Sequence, residues 1–386
     1  MIEISGNPFF ITLNFFFKFL VISLTYCLLC NGLRAFMSKK NLFILTISVI
    51  LLIITLCLSF DQNIDSYINV FLRILCACLI ASCFSVEEYA CKFVNIIFFL
   101  SIISLLCWSL QILRPSTIND IYSFFNMSIT TTFAETGRYV ALPLLFTFNS
   151  QYGLGTKEIW GFSRNNGIFW EPGAHQFFIV LALILLVEYR RKEENYPFKL
   201  LVLLVTLCST GSSTGILSLI VFAIVYHREA FQGIYVYINR HKLQTITFIS
   251  LLIVIAAQYG VYLFSGFGKL SGELLNLNLI AERTSISGLD ALLSGNFLTG
   301  LGITTVNELG ISAYNTLIYF LASFGILGFA FIVGLYCYSY RNLFHHYFGA
   351  LILLMIGFST EVWIIYPICY IFWFLDRDNY LMNCEE

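Results

Sequence analysis

Residues 163–178 read S-R-N-N-G-I-F-W-E-P-G-A-H-Q-F-F and lead into an apolar stretch that runs on to Glu188. A bilayer core needs about twenty apolar residues of helix to cross it, so the segment reads as a polar approach to a membrane-crossing helix. Pro172 suits the first turn, where a missing N–H costs nothing, and this puts Glu171 near the N-cap. Glu171 and His175 are four residues apart and share a helix face, with Arg164 just upstream. A cation, an acid and an imidazole thus gather at the mouth of one helix. The bland reading is an interfacial helix start with its charges among lipid headgroups.

Composition widens that reading to the whole chain. Hydrophobic residues make up 59% of 386 and charged residues 11%, against about 25% charged in soluble domains. A mean hydropathy of +0.83 over this length implies many spans rather than one anchor. The expected fold is all-α, a single polytopic membrane domain over residues 1–386. A net charge of −1 gives no support to a nucleic-acid partner. The twelve cysteines avoid the two long polar loops and read as small buried apolar residues.

Apolar runs fall near 9–30, 41–60, 67–84, 93–113, 168–188, 198–210, 213–226, 244–264, 313–340, 347–358 and 362–375, about 11 spans in all. The positive-inside rule sets the orientation. The short connections and the tail carry 13 Lys and Arg, whereas the two large loops, 114–167 and 265–312, carry 6. Both large loops are therefore expected outside. Two hairpins look too short. Pro197 to Tyr226 offers 30 residues to cross and return, where two full spans need roughly 40. Its apex is the polar, glycine-broken S-T-G-S-S-T-G at 209–215, and the hairpin 347–375 has Ser359, Thr360 and Glu361 at its own apex. Irregular polar backbone at membrane depth survives where it is buried in protein or lines a wet cavity, so an outward-open cavity is expected beside these apices.

Arginine suits phosphate, because its planar fork makes paired charge-assisted bonds and stays charged. Among the outer basic residues Arg164 is the foremost, with Arg283 and Arg138 behind it. Ser213 and Thr214 can offer hydroxyls and free N–H groups at the start of a helix, an anion-binding arrangement. Glu361, ionisable between short apolar runs, is a functional candidate by default. Arg73 lies inside a span, where it needs a partner or a wet surface. No P-loop, no H-E-x-x-H and no outward paired-Asp motif is present, and no metal site is expected.

Taken in order, G-I-F-W-E-P-G (167–173), T-G-S-S-T-G (210–215), G-L-G-I-T-T (300–305) through Y-N-T-L-I-Y-F-L-A-S-F-G-I-L-G (314–328), and S-T-E (359–361) resemble the bacterial O-antigen polymerases (Wzy-type), of the O-antigen ligase/polymerase superfamily. The resemblance covers most of the chain from about residue 137; the first four spans match in hydropathy alone. It implies a lipid-linked glycosyltransferase at the outer face of the inner membrane, with both large loops periplasmic. A growing glycan would pass from undecaprenyl pyrophosphate to the non-reducing end of a new lipid-linked repeat unit. The implied partners are that lipid-linked oligosaccharide, the bilayer and a chain-length regulator, with no metal and no cofactor. Arg164, Arg283, Arg138, Ser213, Thr214 and Glu361 would bind substrate, and Glu171 or His175 would serve as base.

Two rivals stand beside this reading. An O-antigen ligase would carry a functional histidine in the second large outer loop, and residues 265–312 contain none. A repeat-unit flippase or transporter would show short outer loops and two related halves; here the loops are long and no internal repeat is found.

Overall fold

The computed structural model describes residues 38–58, 63–113, 139–142, 146–149, 164–169, 172–230, 297–308, 315–360 and 366–376, with a few isolated positions besides. Their regular structure is helical: α1 (Lys39–Leu58), α2 (Ile64–Ser82), α3 (Val86–Leu113), α4 (Pro172–Tyr189), α5 (Tyr196–Ser209), α6 (Ser213–Val225), α7 (Ile303–Glu308), α8 (Thr316–Leu343), α9 (Tyr347–Phe358) and the short α10 (Ile371–Phe374). The exception to the all-α expectation is an antiparallel hairpin, β1 (Tyr139–Leu142) with β2 (Phe146–Asn149), in register from Tyr139↔Asn149 to Leu142↔Phe146. Its aromatic and β-branched residues favour a pleated strand, and the sequence around them had read as plain loop.

Among the described residues five helices, α1 to α4 and α8, are long and apolar enough to cross a bilayer. The expected short hairpins appear as short helices: α5 has 14 residues, α6 has 13 and α9 has 12. At 1.5 Å per residue each rises about 20 Å, short of a bilayer core of about 30 Å. The apolar run at 362–375 is not a continuous helix: it contains a 3-10 turn at Pro367–Cys369 and then α10. Pro367 lacks an N–H and breaks the ladder mid-run. The runs at 9–30 and 244–264 lie outside the described residues but for a few isolated positions in the first.

Helix starts follow local chemistry. Ser85 and Glu88 form a reciprocal capping box, Ser85 Oγ accepting from Glu88 N–H and Glu88 Oε2 from Ser85 N–H, each at 3.2 Å, which satisfies two donors at the start of α3. Asn315 Oδ1 accepts from Leu317 N at 3.0 Å and Ile318 N at 3.3 Å to begin α8.

The chain forms two compact units, one holding Ala90–Leu275 and the other Thr12–Tyr89 with Asn276–Glu386. In the first, α4 is the core: every residue from Pro172 to Val187 is buried, as expected of a helix apolar on all sides. Phe93 stacks on Phe178 with centroids 6.3 Å apart. Beyond the Tyr189 end of α4 lies a charge clamp. Glu193 pairs with Arg190 and with Lys199 at 2.6 Å, and Lys199 Nζ also donates to Asn95 Oδ1 on α3 at 2.6 Å. Arg191 meets Glu229 at 3.4 Å. Burial alone would raise the Glu193 carboxyl, but hydrogen bonds from Lys199 and Arg190 outweigh it and hold the group below the usual glutamate range. A lowered carboxylate stabilises the fold above the ordinary glutamate range and loses that contribution as pH falls below that range and through the lowered folded-state value. Glu193→Gln is therefore expected to cost on the order of 1 kcal/mol at neutral pH, as for partly exposed ion pairs, and little in acid. Thermal midpoints of the two proteins at neutral pH and at a pH well below the ordinary glutamate range check this, and a gap that widened in acid would contradict it.

The second unit packs α1, α2 and α7 to α10 around aromatic side chains. Tyr336 lies edge-on to Trp373 at 5.4 Å and to Phe358 at 5.4 Å. Asn41 Nδ2 donates to Ser82 Oγ at 3.3 Å and Lys40 Nζ to the Leu375 carbonyl at 2.8 Å, tying the start of α1 to the ends of α2 and α10. Helix α8 is broken at Gly325, where φ is 63°. The strap 297–302 fills the break: Leu301 and Gly302 donate to the carbonyls of Ala322 and Ser323, and Ile326 and Leu327 donate to those of Phe297 and Leu298. The part of the 265–312 segment that the sequence placed in an outer loop thus docks into a long apolar helix nine residues from its Thr316 end, about 14 Å along the axis.

Candidate functional site

In the first unit the 164–169 turn and the 209–215 apex, separate in sequence, close on each other. Asn165 N donates to the Ser209 carbonyl at 3.1 Å, and next to it Arg164 Nε donates to the Thr210 carbonyl at 3.0 Å. The half-buried Arg164 side chain lies across Gly211: a Cβ built on Gly211 would stand 3.5 Å from Arg164 Cγ and 3.8 Å from its Nε. Gly211 has φ +54°, a left-handed conformation that glycine adopts freely, and it turns the chain from α5 into α6.

Helix α6 starts beside this arginine without a side-chain cap from Ser212. Thr214 Oγ1 donates to Gln176 Oε1 on α4 at 2.9 Å, and its single proton is then spent, so the Ser212 hydroxyl, 2.9 Å away, donates to Thr214. The first turn of α6 has N–H groups without an intrahelical partner and the positive end of the helix dipole. The Arg164 guanidinium adds a full charge to that place. Two buried amide nitrogens close by, Asn166 Nδ2 and Gln176 Nε2, have no acceptor among the described residues, and such donors keep hydrogen-bonding capacity for an oxygen ligand. The arrangement suits an oxyanion.

His175 lies under the same turn. It is 2% exposed, stacks on Phe169 at 5.6 Å, and has Nδ1 3.4 Å from the Asn165 carbonyl. Gly167, at φ +59°, sits so close that a Cβ there would come within 2.7 Å of the imidazole. The turn therefore roofs the ring, and it depends on a residue without a side chain. The site also lies well inside the helices, since Asn165 Nδ2 reaches Ser104 Oγ at 3.3 Å, nine residues before the Leu113 end of α3, or about 14 Å.

Of the residues singled out from sequence, Arg164, His175 and Thr214 come together here, and α4 begins at Pro172 as expected. Ser213 opens α6. Glu171, Arg138, Arg283 and Glu361 lie outside the described residues. In the second unit the Ser359 and Thr360 hydroxyls turn back to the carbonyls of Ile356 at 2.6 Å and Gly357 at 2.7 Å, closing the end of α9, and Arg73 is within electrostatic reach of Tyr370. Sequence reading missed Asn165, Asn166 and Gln176, whose amides look like ordinary polar residues until the two segments meet. It also passed over the spacing G-x-S-x-G at 211–215. In serine hydrolases that spacing marks a strand-to-helix elbow; here helix α5 precedes it, so the elbow geometry is lacking. Compared with family models, curated proteins and solved structures, the chain matches none.

Proposed function

We propose that the protein is a polysaccharide polymerase of the O-antigen type, a membrane glycosyltransferase working on undecaprenyl-pyrophosphate-linked repeat units. The observation that carries this reading is the Arg164 side chain laid across Thr210 and Gly211 at the uncapped start of α6. The T-G-S-S-T-G block that resembles the family and the turn leading into G-I-F-W-E-P-G, which bears Arg164 and Asn166, thus build one cationic, donor-rich site among apolar helices. In the transfer an acceptor sugar hydroxyl forms a bond to the anomeric carbon of the growing glycan. The bond from that carbon to the pyrophosphate oxygen breaks, and the lipid pyrophosphate leaves with the electron pair. Arg164 and the α6 N–H groups meet the charge that develops on the leaving oxygen; Arg283 and Arg138 are the further arginines of the proposal, with Ser213 and Glu361.

The hydroxyl proton goes to a base, Glu171 or His175. Gly167 and Phe169 cover the His175 ring in the same arrangement that holds Arg164 at α6, which favours Glu171 as the base. Glu171 directly precedes α4 in the chain. The proposal places the protein in the bacterial inner membrane with about 11 spans, with residues 114–167 and 265–312 and the site on the periplasmic side, in the company of a chain-length regulator.

Deletion of the gene, followed by gel analysis of the lipopolysaccharide, tests the proposal. Loss of a polymerase leaves core carrying a single repeat. Bare core with polymer held on the carrier lipid would make the protein a ligase, and repeat units trapped on the cytoplasmic side would make it a flippase.

A further inference from the structure

We infer that Asn165 is the positioning residue for Arg164, holding the arginine-bearing turn against α3 and α5 through a side chain whose polarity cannot be reversed. Asn165 is 0% exposed. Its Nδ2 donates to Ser209 Oγ at 2.8 Å and to Ser104 Oγ at 3.3 Å, while its Oδ1 accepts from Gly167 N–H at 3.0 Å. The two serine hydroxyls have already committed their protons, Ser209 to the Thr206 carbonyl at 2.7 Å and Ser104 to the Ser101 carbonyl at 2.9 Å. Each serine oxygen therefore offers lone pairs alone, and the group between them must donate twice. The other end of the same side chain must accept. Among side chains of this length an amide meets both demands; a carboxylate, equal in shape, would set its oxygen against two lone-pair-bearing oxygens in a buried place.

The coupling to Arg164 runs through adjacent backbone. The bond from Asn165 N to the Ser209 carbonyl lies next to the bond from Arg164 Nε to the Thr210 carbonyl, so 164–165 are laid along 209–210 as a pair. Releasing the amide frees the turn at the residue after the arginine and lets the guanidinium leave the start of α6. The Asn165 carbonyl also faces His175 Nδ1, so the same pin fixes the roof of the imidazole.

The positioning itself is independent of the reaction, and its consequence for catalysis rests on the reading of Arg164 as the phosphate-holding group. Phenylglyoxal, which modifies guanidinium groups, reads the position directly. Full-length protein in lipid nanodiscs is treated with it, and the rate at each arginine is followed by peptide mass spectrometry. Arg191, exposed in the same unit, serves as the reference. Asn165→Ala and Asn165→Asp are expected to speed modification of Arg164 about ten-fold relative to Arg191, and Ser209→Ala or Ser104→Ala about three-fold, in proportion to the hydrogen bonds lost. The serine variants each give up one bond to the Asn165 amide, besides the serine's own bond to a helix carbonyl, and keep the test open if Asn165 variants do not fold. Unchanged Arg164 rates in the folded variants would overturn the inference. So would an equal acceleration at Arg191, which would mark Asn165 as a general stabiliser. Faster modification of Arg164 with a full-length polysaccharide ladder would uphold the positioning role and remove Arg164 from the proposed reaction.

Discussion

Gly325→Ala and Gly300→Ala are each expected to abolish the folded protein, while Gly334→Ala in the same helix as Gly325 is harmless. A Cβ on Gly325 would lie 2.4 Å from the Leu298 carbonyl oxygen and 2.5 Å from Gly300 N, and a Cβ on Gly300 would lie 2.5 Å from both Gly325 N and the Ser323 carbonyl oxygen. Every obstacle is backbone, which cannot swing aside as a side-chain tip can. Both residues also have φ in the left-handed region, +63° and +81°, which is strained for any residue bearing a Cβ. Separating the strap from the break would let α8 close its own ladder from Ala322 to Ile326 and from Ser323 to Leu327, but it would leave the Leu301 and Gly302 N–H groups and the Phe297 and Leu298 carbonyls of the strap without those partners among apolar helices, at several kcal/mol each. The expected loss exceeds about 4 kcal/mol, the range in which single substitutions remove the native state. A Cβ on Gly334 meets nothing within 4 Å, and alanine there gains up to about 1 kcal/mol of helix propensity. Yield of monodisperse protein in detergent and its thermal midpoint check the trio. Wild-type values from Gly325→Ala would mean that strap and break are not joined as described.

Arg164→Ala is expected to abolish polymer or shorten it to the first few repeats, with protein abundance unchanged, and Arg164→Lys to restore little. The half-buried arginine lies at the turn into α6, where its Nε donates to the Thr210 carbonyl. Lysine keeps the charge but has a single nitrogen at its tip, so it cannot hold the apex and face an oxyanion together. Loss of one preorganised donor to developing negative charge slows a transfer by about 10²–10³-fold, enough to empty the upper part of a polysaccharide ladder. Gel analysis of lipopolysaccharide from the complemented deletion strain, with membrane protein quantified in parallel, gives the answer. A full ladder from either variant would remove the arginine from the reaction.

Parts of this site are legible in the sequence. Pro172 marked the start of α4, and the polar apex at 209–215 between short apolar runs marked a hairpin too short to cross. What lay hidden was the pairing of segments more than forty residues apart. Asn165 and Gln176 carry no pattern of their own, because an amide becomes informative when its partners are known. Pro367 was visible inside the last run, yet the run's hydropathy outweighed it, since hydropathy records burial and not helix continuity.

Composition and hydropathy along the chain set the solvent and the class of element. Long runs without charge leave the backbone no partner but itself, so they become helices, and their lengths separate α1 to α4 and α8 from the short α5, α6 and α9. The tertiary structure alone decided where those helices are interrupted and what fills the gaps. Gly325 looks like any small residue in a span, and Gly300 like any loop glycine, until four backbone hydrogen bonds join their neighbourhoods. Likewise Arg164 is one outer arginine among several until Ser209 and Thr210 bind the turn that bears it. Hydrophobicity is a property of each residue and adds along the chain, whereas a hydrogen bond between distant segments exists once both are placed, and its register is written in neither segment alone.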